Sequence, residues 1–171
     1  MIFSFDNNFI EKGFMQFREA ILSDISKMHN IRIAVKENIL PDPGLITKKD
    51  YEEFMTKRGR GWVCETDDRI VGFAIADLAD NNVWALFIQP GYEGNGIAKR
   101  LHEIMIDWYF NQTNETIWLG TAAGTRAEKF YRKAGWNETG VQPNGEIRFE
   151  MTYDCWIKIK KLQKTNDKIE L

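Results

Sequence analysis

The stretch Phe87-Ile88-Gln89-Pro90-Gly91-Tyr92-Glu93-Gly94-Asn95-Gly96-Ile97-Ala98-Lys99-Arg100 joins an apolar run to a helical pattern through a turn that holds three glycines. Upstream, Val83–Ile88 is unbroken apolar sequence, the pattern of a central strand covered on both faces. Downstream, Ile97, Leu101, Ile104, Met105 and Trp108 recur at helical spacing and predict a strongly amphipathic helix. Glycines let a backbone turn tightly and approach a ligand closely. A helix start adds unpaired N–H groups and the positive end of the peptide dipole. Strand, glycine turn and helix start together make an anion site suited to a phosphate or pyrophosphate. Lys99 and Arg100 would add positive charge. The spacing is not the GxGxxG fingerprint, and no GK[ST] follows the glycines.

The rest of the chain supplies an alternation of strands and helices around that turn. Phe14–Ile21 reads as a first strand, and Met28, Ile31, Val35 and Ile39 predict a helix from about Asp24 to Ile39. Pro41-Asp42-Pro43-Gly44 interrupts it, and Thr47-Lys48-Lys49-Asp50 is a capping box for a second helix carrying Tyr51, Phe54 and Met55. Gly61–Thr66 and Arg69–Ala76 flank Asp67-Asp68 as a hairpin, and Asn81-Asn82 marks a further turn. Thr116–Leu119 is a short strand. Thr125-Arg126-Ala127-Glu128 is a second capping box, and Ala127, Phe130, Tyr131 and Ala134 give its helix an apolar stripe that Gly135 ends. Trp136–Val141 and Ile147–Met151 are the last strands. The order β-α-α-β-β-β-α-β-α-β-β predicts one α/β domain with a mixed, mostly antiparallel sheet. That domain takes in residues 1–171, with its core at about 14–153. Ile157–Leu171, with five lysines, reads as a solvated tail or terminal helix.

Composition removes several function classes. A length of 171 residues suits one domain, and 43 % hydrophobic residues provide a core. The balance of 23 basic against 25 acidic residues argues against a nucleic-acid binder. Cys64 and Cys155 are too few for a disulfide framework, and with His29 and His102 they form no metal-ligand spacing. No apolar run reaches the roughly 18 residues of a membrane span. Met1–Asn8 lacks the basic start of a signal peptide, so a cytoplasmic protein is expected.

Two motifs carry a family resemblance. Gln89-Pro90-Gly91-Tyr92-Glu93-Gly94-Asn95-Gly96-Ile97-Ala98 resembles the acetyl-coenzyme A loop of the GCN5-related N-acetyltransferase (GNAT) superfamily, with Gly96 and Ala98 at its small positions. Ala127-Glu128-Lys129-Phe130-Tyr131-Arg132-Lys133-Ala134-Gly135-Trp136 resembles that family's later motif. Glu93 stands where the family usually has Gln or Arg, and Gly124 where it often has Asn. The resemblance spans roughly Phe14 to Met151 and implies a GNAT-type fold, a mostly antiparallel sheet flanked by about four helices.

The resemblance also implies a chemistry: transfer of an acetyl group from acetyl-coenzyme A to a primary amine of a small molecule, amino acid or peptide, by direct attack on the thioester. Gly94, Asn95, Gly96, Ile97, Ala98 and Lys99 would hold the pyrophosphate. Phe87 and Ile88 would pair with the pantetheine arm and supply an oxyanion-stabilising N–H. Tyr131 matches the family's general acid, and a phenol of pKa ~10 is protonated at neutral pH. No metal is required. The base is open among Glu37, Glu65, Asp77, Glu146 and Glu150, or a water chain. Arg32, Glu37 and Trp62 are expected on the acceptor side; Trp84, in the most apolar strand, reads as core, and Trp108 as part of a buried helical stripe. An Arg32 that faced the acceptor would favour a carboxylate-bearing amine. The alternative reading is a catalytically silent acyl-coenzyme A binding or sensor module, to which the departures at Glu93 and Gly124 lend weight. The expected partner is a small-molecule or peptide amine, with neither nucleic acid nor membrane. Dimers are common in the family, and Trp156 and the lysine-rich tail could join such a contact.

Overall fold

Asp67 and Asp68 both adopt left-handed backbone angles, with φ of 49° and 58°. A two-residue turn of that kind matches the twist of a hairpin, and it joins β2 (Gly59–Thr66) to β3 (Arg69–Asp77). In the computed structural model, which describes residues 14–37 and 42–169, this hairpin belongs to a sheet that also contains β1 (Gln16–Glu19), β4 (Asn82–Ile88), β5 (Ile117–Thr121), β6 (Asn137–Val141) and β7 (Ile147–Met151). The strand order is β1-β2-β3-β4-β5-β7-β6, and every neighbouring pair is antiparallel except β4 with β5. The helices are α1 (Ile25–Ala34), α2 (Lys48–Glu53), α3 (Ile97–Gln112), α4 (Arg126–Lys133) and α5 (Tyr153–Ile169). This is the expected α/β architecture, with α5 as its fifth helix.

The sheet is covered on both faces. On one, α3 buries Leu101, Met105, Ile106 and Tyr109 against Val71, Ala74, Ile117, Phe149 and Met151. On the other, Ile25, Met28 and Ile31 of α1 and Tyr51 of α2 pack on Val63, Phe73, Ile75 and Ala85. Gly72 fixes how closely α3 sits. A Cβ there would come within 3.0 Å of both Ile88 and Ile97, so the bare glycine lets the start of α3 rest on the sheet.

Local capping signals behave as their chemistry dictates. Thr47 and Asp50 form the full reciprocal box. At α4, Thr125 Oγ1 accepts from Glu128 N–H, but the Glu128 carboxylate reaches back to Gly124 N–H, at 2.6 Å.

Three expectations are corrected. The first helix ends at Ala34, not Ile39, and Val35 is extended. The chain leaves the helix axis there and brings the Glu37 carboxylate to Arg126 N–H, 2.8 Å away on α4, a tertiary contact that periodicity does not register; Ile39 and Pro41 lie outside the described residues. The terminal helix starts at Tyr153 and its first half is docked rather than solvated. Trp156 is 2 % exposed and donates its Nε1–H to Asp107 at 2.8 Å, while Lys160 reaches the other oxygen of Asp107. A buried Trp156 is no surface for a second copy of the chain. Finally, β4 is not covered on both faces along its length. Only Val83 and Ala85 are buried, and Leu86, Phe87 and Ile88 are half exposed. No helix among the described residues is long and apolar enough to cross a membrane.

Candidate active site

The half-exposed end of β4 follows from its pairing. β4 meets β5 at one parallel register pair, Asn82 with Trp118. That end is clamped: Trp118 N–H donates to Asn81 O, Asn82 Nδ2 donates to Trp118 O, and Tyr109 OH donates to Asn81 Oδ1. Beyond the clamp the strands part. The β5-facing edge of β4 is then left without a strand partner, and alternate N–H and C=O groups are available to a peptide-like ligand. The parting opens a cleft of about 990 Å³ lined on one side by Leu86, Phe87 and Ile88 and on the other by Ala127, Phe130 and Tyr131 of α4.

At the mouth of β4 lies the glycine turn. Gly94 and Gly96 have φ of 76° and 78°, which L side chains rarely adopt, and a Cβ at either would meet nothing within 4 Å. The glycines therefore serve backbone shape and leave the space above them open. Gly96 is the N-cap of α3 and gives the helix no side-chain cap. The first-turn amides of Ile97, Ala98 and Lys99 thus carry the partial positive charge of a long helix into the cleft, which Gly94, Gly96, Ile97, Ala98 and Lys99 all line. Asn95 acts differently from its neighbours. Its Nδ2 donates to Tyr92 O at 3.0 Å and so braces the turn from within.

Glu93 explains how the loop accommodates a carboxylate. Its Oε2 accepts from Gly91 N–H at 2.6 Å, and its other oxygen pairs with Arg126 at 3.4 Å. Hydrogen bonds from its own and the Gly91 backbone amide hold this carboxyl below the usual glutamate range. Arg126, from α4, therefore stands beside the loop and provides a cation that residue 93 does not.

Tyr131 is 6 % exposed and lines the cleft. Burial pushes its hydroxyl above the usual tyrosine range, so it is a proton carrier at neutral pH. Behind it sits His102, whose ring is edge-on to Phe130, Tyr131 and Trp156. His102 Nε2 accepts from Trp136 Nε1–H at 2.9 Å. Desolvation lowers its pKa to about 4, so it is neutral at physiological pH with its proton on Nδ1. Among the described residues no group of His, Cys, Asp and Glu could hold a metal ion.

Residues 25–136, more than half of the chain, match the acetyltransferase (GNAT) family. The chain belongs to the GNAT family. N-acetyltransferases of Mycobacterium bovis and Mycobacterium tuberculosis, both named as uncharacterised, are each 32 % identical over 101 residues, which is 54 % of this chain. The match spans 62 % of the length of those relatives. Among solved structures, a GNAT acetyltransferase from Staphylococcus aureus superposes with a TM-score of 0.70 at 20 % identity, covering 81 % of this chain and 99 % of that one. The PaiA N-acetyltransferase of Thermoplasma acidophilum, solved with coenzyme A, gives 0.67 at 13 % identity, covering 82 % and 99 %. The Escherichia coli ribosomal-protein-S18-alanine N-acetyltransferase gives 0.63 at 18 %, covering 81 % and 92 %.

Within this GNAT frame the residues expected on the acceptor side separate. Glu37 lines the cleft. Trp62 does not; it is 6 % exposed, on the face of β2 under α3, edge-on to the half-buried Trp108 at 5.3 Å. Trp84 does not line the cleft either, and packs against the α1–α2 core as expected. The β3–β4 register shifts between Ile75 and Ala76, so Trp84 is an extra residue that turns toward α1 and α2, stacked on Phe54 at 4.3 Å. Arg32 is not among the residues that line the cleft; it lies against Trp84 and Phe87, behind the wall that Phe87 forms. Of the other carboxylates, Glu65 pairs with Arg18, Asp77 is buried on Arg58, Glu146 accepts from Asn144, and Glu150 pairs with Arg148. None of these four lines the cleft. Sequence reading missed His102, Phe130, Lys133 and Arg126 of α3 and α4, and Trp156 and Ile159 of α5, which also line it. The helical spacing from Ala127 to Ala134 was a signal for Phe130; nothing local marked α5.

Proposed function

We propose that the protein transfers an acetyl group from acetyl-coenzyme A to a primary amine by direct attack on the thioester. One observation carries the reading: the uncapped, glycine-opened start of α3 and the buried Tyr131 line a single cleft, along the unpaired edge of β4. The first-turn amides of α3 suit a pyrophosphate, and the β4 edge suits the amide groups of a pantetheine arm. The amine nitrogen attacks the thioester carbonyl. A β4 backbone N–H near Phe87 and Ile88 stabilises the oxyanion. The C–S bond then breaks as the C–N bond is kept, and the leaving thiolate takes the Tyr131 proton. The proton lost by the amine leaves toward water past Glu37, the one of the five carboxylates considered that lines the cleft. Tyr131 regains its proton from solvent.

The names of the relatives support acetyl transfer, and a coenzyme A complex of a structural neighbour supports the cosubstrate. The test is release of free thiol from acetyl-coenzyme A over a panel of amines, amino acids and peptides. Turnover on at least one class, lost in Tyr131→Phe with coenzyme affinity retained, is expected. Tight coenzyme binding without turnover on any acceptor would favour the sensor reading, and no coenzyme binding would overturn both.

A further inference from the structure

The partly or fully buried arginines among the described residues follow a rule with one exception. Arg18 is held by Asp24 and Glu65, and Arg58 by Asp77 and Asp80, although both side chains are about a quarter exposed. Arg32, on α1, is far more buried, at 7 % exposure, and its Nε and Nη2 have no hydrogen-bond partner. No carboxylate among the described residues pairs with it. Its guanidinium instead lies on aromatic faces: Cζ is 4.3 Å from the Trp84 ring, 4.8 Å from Phe87 and 5.5 Å from Tyr51. Ring faces attract the charge, but they leave Nε–H and the Nη2 N–H groups unsatisfied. Burial draws the arginine below its usual pKa, and the Tyr51 hydroxyl offsets part of this.

The identity of the two orphan nitrogens is informative. Nε–H and one Nη2–H are parallel and share the side-on edge of the guanidinium, the edge that matches the two oxygens of a carboxylate. A carboxylate's single charge also balances that of Arg32. Phe87 is common ground: its ring packs on Arg32 and the residue lines the cleft. Val35 and Glu37, just beyond Arg32 in the chain, line the cleft as well.

We propose that Arg32 receives a carboxylate of the acceptor, so that the amine acetylated belongs to an amino acid or a similarly short amino-carboxylate. This rests on the acetyltransferase reading and adds its substrate class. The carboxylate sits on the Arg32 edge and the amine points past Phe87 toward the thioester. Phe87 borders both Arg32 and the cleft, so the fitting acceptor carries its carboxylate and amine on the same or nearby carbons.

The test compares amino acids with their own carboxamides as acceptors for the full chain at saturating acetyl-coenzyme A. The acid is expected to exceed the carboxamide by about 10- to 100-fold in kcat/KM, carried by KM, the scale of a charge-assisted pair. Arg32→Gln moves the acid-to-carboxamide ratio toward one, and Arg32→Lys, which keeps the charge, restores part of it. Equal use of acid and carboxamide by the unaltered protein, or a ratio that survives Arg32→Gln, overturns the proposal. So does preference for a phosphorylated amine such as phosphoethanolamine over every amino acid. The same acid and carboxamide are titrated calorimetrically into protein loaded with coenzyme A. If no acceptor turns over, the transferase reading fails, while selective binding of the acid still upholds the carboxylate site and its absence rejects it. The wild-type comparison needs no variant, so a variant that fails to fold leaves the answer intact.

Discussion

The two places proposed for coenzyme and acceptor present charge in opposite ways. At the proposed coenzyme end the groups presented are backbone amides at the start of α3, opened by Gly94 and Gly96 and bordered by the exposed Lys99 and Arg126. Charge there is diffuse, hydrated and supplied by the shape of the chain. At the proposed acceptor end, behind the cleft wall, it is a single side chain, Arg32, set dry among Tyr51, Trp84 and Phe87. A wet backbone site tolerates change because several amides share the load. A dry side-chain site concentrates its selectivity in one residue, since an unmatched group in low dielectric costs more.

The variants that break or sharpen this contrast differ in scale. The largest effect is expected at the junction of the two ends: Tyr131→Phe lowers kcat by about 10²- to 10⁴-fold, with coenzyme affinity from calorimetry held. Next comes stability against pH. His102 keeps a pKa of about 4 in the folded chain and regains an ordinary value near ~6.5 when unfolded. The unfolded state then binds the extra proton between those values, so stability is full above pH 6.5 and is lost as pH falls toward 4, by roughly 3 kcal/mol. Denaturant melts across that window read the slope, and His102→Gln, which can still accept from Trp136, flattens it. A smaller effect is expected at the coenzyme end. Gly96→Val forces a β-branched residue to φ 78° and weakens coenzyme binding about tenfold, without a clash, since the space is open. The smallest is Glu93→Gln, which frees Arg126 and the Gly91 amide from a carboxylate and tightens coenzyme binding by about two- to fivefold. A large loss at Glu93→Gln would mean that the carboxylate organises the loop rather than competing with the ligand.

The same contrast governs what could be read from sequence. The coenzyme end is contiguous. Strand, glycines and helix start lie within residues 83–100, and each signal is local, as are the Asp67-Asp68 turn and the Thr47–Asp50 cap. The acceptor end is assembled from α1, α2 and β4 across more than fifty residues of chain. Trp84 reads as core in an apolar strand and does pack on the core beside α1 and α2, but only the bulge at that position turns it toward Arg32. Trp62 shows the converse, an isolated aromatic that proves to be packing under α3. Arg32 itself was visible as a cation on a helix. Its isolation was not, because the absence of a partner is a property of everything packed around it. The end of α1 was misplaced for a related reason, since the tie from Glu37 to α4 joins positions 89 residues apart.

The most direct test of the central claim, that one cleft joins a coenzyme site to an amine site, is free-thiol release from acetyl-coenzyme A with amino acids as acceptors, in the unaltered chain and in Tyr131→Phe. The account predicts acceptor-dependent thiol release that falls at least a hundredfold in the variant while coenzyme A still binds. Undiminished release in the variant, or coenzyme binding with no release for any amine, would contradict it.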